Sequence, residues 1–213
     1  MKKKILFGLL ALTFSVFACS TQANAQAAKF VSVEEAAKTA LNVGAKAPSF
    51  SLKDSTGKLL SSKDLLQEGN MVLVFYRGSW CPFCNTYLHK LQTRLMDIKA
   101  AGGNVVAVSV ENPDASMAVA KKNEVLFTVL SDTNLDVARK FGIVYQLPPE
   151  TDAKYKTYGI DLAKHNAMEK PELPISATYI IDKKGKIVYA FLEPDYKKRA
   201  EPDVIIENLK KLK

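Results

Sequence analysis

Two cysteines three residues apart, Cys81 and Cys84 in "FYRGSWCPFC" (residues 75–84), are the residues of this chain best suited to chemistry. A close thiol pair serves redox exchange, a metal site or a structural crosslink. Across the first turn of a helix, positions three apart bring their Cα atoms to about 5 to 6 Å, a separation that a disulfide accepts. Cys81 precedes Pro82, which disfavours helical backbone at Cys81 and suits the first helical position, so Cys81 is expected to cap the helix. Unpaired N–H groups and the helix dipole favour a thiolate there, and the thiolate is the nucleophile. Cys84 falls one turn inside, on the apolar stripe of Leu88 and Leu91, and is expected to be the more buried sulfur. These positions suit an attacking Cys81 and a resolving Cys84.

The other two uses fit less well. A disulfide closing so short a loop removes little entropy from the unfolded chain. A structural zinc site wants four ligands, and once an N-terminal signal carrying Cys19 is set aside there are beyond this pair two histidines, His89 and His165, at no ligand spacing. His89 falls on the polar side of the helix. No metal site is expected.

Three neighbours are candidates for the same site. Arg77, four residues before Cys81, either supplies positive charge to the thiolate and to a departing oxygen, or is an exposed arginine at a strand end. Trp80 offers a flat apolar face to a docking redox protein, or simply packs. Glu111 follows a buried strand, where sites of parallel sheets assemble; it relays protons to Cys84, or caps the next helix at the surface.

The elements that must position these residues are legible as pattern. "MVLVFY" (71–76) is a continuous apolar run bounded by Gly69-Asn70 and Gly78, the mark of a buried central strand. From Pro82, Cys84, Leu88, Leu91, Leu95 and Ile98 recur at helical steps, predicting one helix up to Gly102-Gly103. "NVVAVSV" (104–110) and "VLFTVLSD" (125–132) read as strands, while 113–123 and 134–142 read as helices opening on Pro113 and closing at Gly142. This alternation predicts a largely parallel sheet covered on both faces. "FSLKDSTGKLLS" (50–61) and "ATYIIDKKGKIVYAFL" (177–192) each read as two strands about a turn, and "EPDVIIENLKKLK" (201–213) as an amphipathic helix. The proline-rich stretch 145–174 reads as an irregular excursion with short helical pieces, a length of connection that is often functional or partner-facing.

At 213 residues and 47% hydrophobic, the chain can build one sizeable core. "MKKKILFGLLALTFSVFACSTQANAQ" opens with lysines, continues with an apolar run too short for a membrane span, and ends in small residues around Ala25. Residues 1–25 therefore read as an export signal to the periplasm. "VFAC" gives an alternative lipoprotein signal over 1–18 with acylation of Cys19, the only route to a membrane. The signal carries Lys2, Lys3 and Lys4, and the remaining basic residues are scattered, so no nucleic-acid partner is expected. Residues 26–42, with Ser32 and Glu35 in capping-box spacing, read as an N-terminal arm, and 43–213 as one domain.

"VGAKAPSFSLKDSTGKLLSSKDLL", "VLVFYRGSWCPFCNTYLHKLQ" and "ELPISATYIIDKKGKIVYAFLEPDY" together resemble the peroxiredoxin-like branch of the alkyl hydroperoxide reductase and thiol-specific antioxidant superfamily. The resemblance implies an α/β thioredoxin-like fold, with a central mixed sheet flanked by helices and an N-terminal strand extension. It implies peroxidase chemistry on hydrogen peroxide or alkyl hydroperoxides. Cys81 stands at the peroxidatic position, passing through a sulfenic acid to a Cys81–Cys84 disulfide. A thioredoxin-like protein is the implied reductant, no cofactor is needed, and a homo-oligomer is an open expectation. Gly78 stands where typical peroxiredoxins carry a threonine that positions the peroxide, and Ser176 where they carry an arginine. Both positions, with Trp80, are expected to face substrate. The alternative is a periplasmic thiol–disulfide oxidoreductase acting on protein disulfides, and a third reading is a non-enzymatic binding module with 145–174 as its contact surface.

Overall fold

The run 71–76 forms the axis of the sheet because every residue in it is apolar or aromatic and both faces of the strand are covered. In the computed structural model, which describes residues 30–166 and 170–212, it lies in the strand Asn70–Phe75 and the residue after it. Elements follow in the order α1 (Val33–Thr39), β1 (Ser51–Asp54), β2 (Leu59–Ser61), α2 (Ser62–Gln67), β3 (Asn70–Phe75), α3 (Pro82–Thr93), α4 (Leu95–Ala100), β4 (Gly103–Ser109) and α5 (Pro113–Lys122). Next come β5 (Thr128–Ser131), α6 (Asp136–Lys140), β6 (Val144–Gln146), α7 (Pro149–Thr157), α8 (Leu162–Asn166), β7 (Glu172–Pro174), β8 (Thr178–Ile181), β9 (Ile187–Phe191) and α9 (Pro202–Lys210). The expected export signal, its lipoprotein alternative and Cys19 lie outside the described residues.

Seven strands form one sheet in the order β2-β1-β5-β4-β3-β8-β9. Only β3-β4 and β4-β5 are parallel, so the sheet is mixed rather than largely parallel. Turns as short as 55–58 and 182–186 force β1-β2 and β8-β9 to run antiparallel, and β1-β5 and β3-β8 are antiparallel across longer connections. Alternation along β3 divides the core. Met71, Leu73 and Phe75 join the cluster that includes Phe141, Tyr179 and Leu173. Val72, Val74 and Tyr76 join Cys81, Cys84, Leu88, Leu91, Ile205 and Leu209 on the other face.

The helix expected over 82–101 is interrupted at Arg94, where φ is −107° and ψ is 10°. Thr93 Oγ1 donates to the Lys90 carbonyl, and the Arg94 amide turns to Leu91. A side chain thus competes for the carbonyls the helix needs, while Leu95 and Ile98 stay on the buried stripe. β5 is shorter than the run 125–132, because Val125 bonds back to Ala120 and the chain joins the sheet only at Thr128. The excursion does hold helical pieces, α7 and α8. Its ends also pair as an antiparallel ribbon, β6 with β7, which three-residue strands containing a proline did not announce.

The arm is tied to the domain. Ser32 and Glu35 form the expected capping box, Ala36 is buried, and backbone bonds join Leu41 to Phe141 and Gln146 to Val31.

Candidate active site

β3 delivers the chain to the carboxyl end of the sheet, and residues 76–81 connect it to α3. Cys81 caps α3 with extended backbone (φ −91°, ψ 109°) and Pro82 follows as the first helical residue, as the Cys-Pro pair predicts. The Cys81 carbonyl accepts from the amides of Cys84 at 3.0 Å and Asn85 at 3.1 Å, closing the first turn. Both cysteines are free thiols. Both side chains are shielded from solvent, Cys81 1% and Cys84 0% exposed, with Cys84 the deeper of the two as expected.

Electrostatics separates the two sulfurs. The Cys84 thiol donating to its sulfur is the largest influence on Cys81; burial opposes it, and the charge of Arg77 and then of Arg199 assists, holding the pKa near about 6. Burial, then the hydrogen bond to Cys81 and the negative charge there, pushes Cys84 well above an ordinary thiol. One site thus holds a ready thiolate and a protonated partner.

Arg77 is only 2% exposed, which removes the surface reading. Its guanidinium lies in an aromatic box, 4.1 Å from the Tyr196 ring centroid, 4.9 Å from Trp80 and 5.4 Å from Tyr155. Nη2 donates to the Tyr155 hydroxyl, while Nε is buried without a partner. Burial works against the charge, but the hydroxyls of Tyr145 and Tyr155 and the Cys81 sulfur outweigh it and keep Arg77 protonated. Tyr155 comes from α7 and Tyr145 from β6, so the excursion covers this side of the site.

Trp80 does not present a free docking face. Its ring is half-buried, tilted against Tyr155 at 5.9 Å and beneath Arg77, with Nε1 enclosed and unpaired. Glu111 is neither surface nor helix cap. Asn112 caps α5 by accepting from the Ala115 amide, and Glu111 is fully buried. Its carboxylate accepts from the Ser79 amide at 2.7 Å and the Ser79 hydroxyl at 2.6 Å, so both oxygens anchor the cysteine loop. Burial raises its pKa, against which the two Ser79 bonds and His165 act. The loop is held from the other side by Asn85, which donates to the Ser79 carbonyl at 2.8 Å and accepts from Asn123 at 3.2 Å.

Gly78 has φ 147°, and a Cβ there would stand 2.4 Å from Trp80 Nε1 and 3.1 Å from the Glu111 carboxyl carbon. A threonine cannot occupy this position while Trp80 and Glu111 hold theirs. Ser176 is buried, its hydroxyl without a partner, one residue before Ala177 whose carbonyl accepts from the Phe75 amide. His89 is exposed and His165 half-buried, and among the described residues no three His, Cys, Asp or Glu gather as metal ligands would.

Sequence reasoning missed Tyr155, Tyr196 and Arg199. Arg199 donates through Nη2 to Cys84 Sγ at 3.5 Å. All three approach from segments distant in the chain, and no spacing in the sequence ties them to the cysteines.

A cysteine pair opening a helix behind the central strand of a mixed sheet defines a thiol-redox protein of thioredoxin-like fold. Residues 43–190 match the AhpC/TSA family, and the chain belongs to it. It is 31% identical over 172 residues to "Peroxiredoxin Bcp" of Escherichia coli (strain K12), spanning 80% of this chain and 96% of that one. It is 31% identical over 148 residues to "Peroxiredoxin Q, chloroplastic" of Populus jackii, spanning 69% of this chain and 58% of that one. Among solved structures, peroxidoxin BcpB from Mycobacterium tuberculosis superposes with a TM-score of 0.66 at 19% identity, covering 81% of this chain and 99% of the other. That structure supports the fold.

Proposed function

We propose that this chain is a thiol-dependent peroxidase in which Cys81 is the peroxidatic residue and Cys84 the resolving one. The observation that carries the assignment is the placement of Cys81 as the N-cap of α3 with Cys84 one turn inside, both free thiols, beside the buried Arg77 charge that helps to lower the Cys81 pKa. The names of its relatives, peroxiredoxins Bcp and Q, point the same way.

In this mechanism the Cys81 thiolate attacks one oxygen of a hydrogen peroxide or alkyl hydroperoxide. The O–O bond breaks, a Cys81 sulfenic acid forms, and the departing hydroxide or alkoxide takes up a proton. The Arg77 charge favours both the thiolate and the departing anion, and enclosure of the guanidinium by aromatic rings strengthens its field. Trp80 Nε1 and the Ser176 hydroxyl, both buried without partners, are donors free to meet the peroxide. Cys84 then attacks the sulfenic sulfur, forming the disulfide and releasing water. A dithiol protein of the thioredoxin kind returns both sulfurs to thiols. The names of the relatives, both peroxiredoxins, weigh against the alternative, a thiol–disulfide oxidoreductase acting on protein disulfides.

Residues 1–25 serve export to the periplasm in this reading, as a cleaved signal or as a lipoprotein signal ending before Cys19. Intact mass of the protein from its native host distinguishes these, because the two products start at different residues.

The central test mixes reduced protein with stoichiometric peroxide. Cys81→Ser is expected to abolish rapid oxidation, and Cys84→Ser to trap a sulfenic acid on Cys81. Oxidation no faster than that of a free thiol, together with rapid reduction of a test protein disulfide, rejects the peroxidase assignment.

A further inference from the structure

A buried thiol that must act as a nucleophile needs help to lose its proton. Cys84 is fully buried, and burial pushes its titration up. The ionisable groups around it are Cys81 at the head of α3, Tyr76 and Arg77 from the end of β3, Tyr145 from β6, Tyr87 on α3 and Arg199 from the loop between β9 and α9. Cys81 opposes a second negative charge, and the tyrosines, whose buried hydroxyls stay protonated, bring no positive charge to offset one. Arg77 gives Cys84 its main-chain N–H, its guanidinium being turned into the aromatic box and toward Cys81. Arg199 alone among the described residues brings a side-chain cation to the Cys84 sulfur.

Its guanidinium is fixed for that contact. Nη1 donates to the Lys198 carbonyl at 2.8 Å and to the Tyr196 carbonyl, and the group lies 5.8 Å from the Tyr87 ring centroid. Nε is buried and unpaired, and among the described residues no carboxylate forms an ion pair with Arg199. The planar fork is thus pinned through Nη1 on two carbonyls, its charge answered by no acid and its Nη2 turned to sulfur. The other side of Arg199 lines a groove of about 580 Å³ with Phe83, Tyr87 and Phe191.

We propose that Arg199 is the catalytic residue of the resolving step, stabilising Cys84 as a thiolate while it attacks the Cys81 sulfenic acid. This rests on the peroxidase assignment above. The Cys84 thiolate forms the S–S bond, the Cys81 S–O bond breaks, and the departing hydroxide combines with the proton Cys84 has released to give water. No electron enters from outside, because the sulfenic sulfur is the oxidant. Arg77 serves Cys81, and Arg199, whose charge also favours the Cys81 thiolate, makes the direct side-chain contact with Cys84.

Two measurements test this. In a Cys81→Ser background, the titration of Cys84 is followed by alkylation rate with and without Arg199→Met, so peroxide chemistry plays no part. The titration is expected to move upward on substitution, with Arg199→Lys restoring part of the shift. In the otherwise unaltered protein, conversion of Cys81 sulfenic acid to disulfide is timed after a peroxide pulse. Arg199→Met is expected to slow it by about tenfold, the size of one lost charge-assisted hydrogen bond, and to raise the fraction of Cys81 over-oxidised to sulfinic acid. An unmoved Cys84 titration in a folded Arg199→Met variant, or in Arg199→Gln should the first not fold, overturns the proposal. If peroxide fails to oxidise Cys81 at all, the peroxidase assignment falls and the role of Arg199 is judged on the Cys84 titration alone.

Discussion

Replacing Cys84 by alanine tests the origin of the Cys81 thiolate, because the largest influence holding Cys81 near about 6 is the hydrogen bond from the Cys84 thiol. A hydrogen bond to a charged group contributes about 1.5 to 3 kcal/mol, which corresponds to about one to two pKa units. Cys81 in Cys84→Ala should therefore titrate at about 7 to 8. At pH 6 the thiolate fraction drops from about a half to between about a tenth and a hundredth. A more basic thiolate is intrinsically more reactive, with a Brønsted slope of about 0.4 to 0.5. The two effects together make oxidation by peroxide about two- to sixfold slower at pH 6, yet about three- to eightfold faster well above the new pKa. Crossing rate–pH profiles are the signature. The assay is stopped-flow oxidation of the reduced protein across pH, beside thiolate ultraviolet absorbance, with Cys84→Ser as the variant that keeps a donor and stays near the parent curve. A Cys84→Ala profile still centred near pH 6 would refute the assignment and leave Arg77 as the principal cause.

Because the Cys81 pKa is depressed, its ionisation adds stability that is fully present above the ordinary thiol value and is lost as pH falls through about 6. The melting temperature of reduced parent minus that of Cys81→Ser should therefore rise between about pH 6 and about pH 8.5, and a flat difference argues against the shift. Gly78→Ala forces a side chain onto φ 147° and into the Trp80 ring, so it should cost about 1 to 3 kcal/mol in denaturant unfolding and slow oxidation of Cys81. Tyr155→Phe leaves an Arg77 N–H without its acceptor, with an expected loss of about 1 to 3 kcal/mol. Unchanged unfolding in that variant would mean water replaces the hydroxyl.

What was legible in the sequence was local. Apolar runs marked β3 and β4 because both faces of those strands are buried, and Cys-Pro marked the head of α3 because proline restricts its predecessor. The break at Arg94 was not legible, since the buried stripe continues through it and only a side-chain bond at Thr93 diverts the backbone. Gly78 looked like a missing hydroxyl, whereas its backbone and its closeness to Trp80 and Glu111 make it a place where no side chain fits. Glu111 was singled out by its position after a strand, but its partner Ser79 lies 32 residues away and no pattern ties them.

By itself the sequence determined the thiol pair, its helix and the strand behind it, because those features depend on neighbours within a turn or a strand. Only the tertiary structure decided which charges meet which sulfur. Arg77 became a buried cation because Tyr155 from α7 and Tyr196 beyond β9 close over it. Arg199 reached Cys84 across 115 residues because the chain after β9 returns over the head of α3. A pKa is set by burial and by charges a few ångströms away, and those distances exist only once the sheet has brought its ends together.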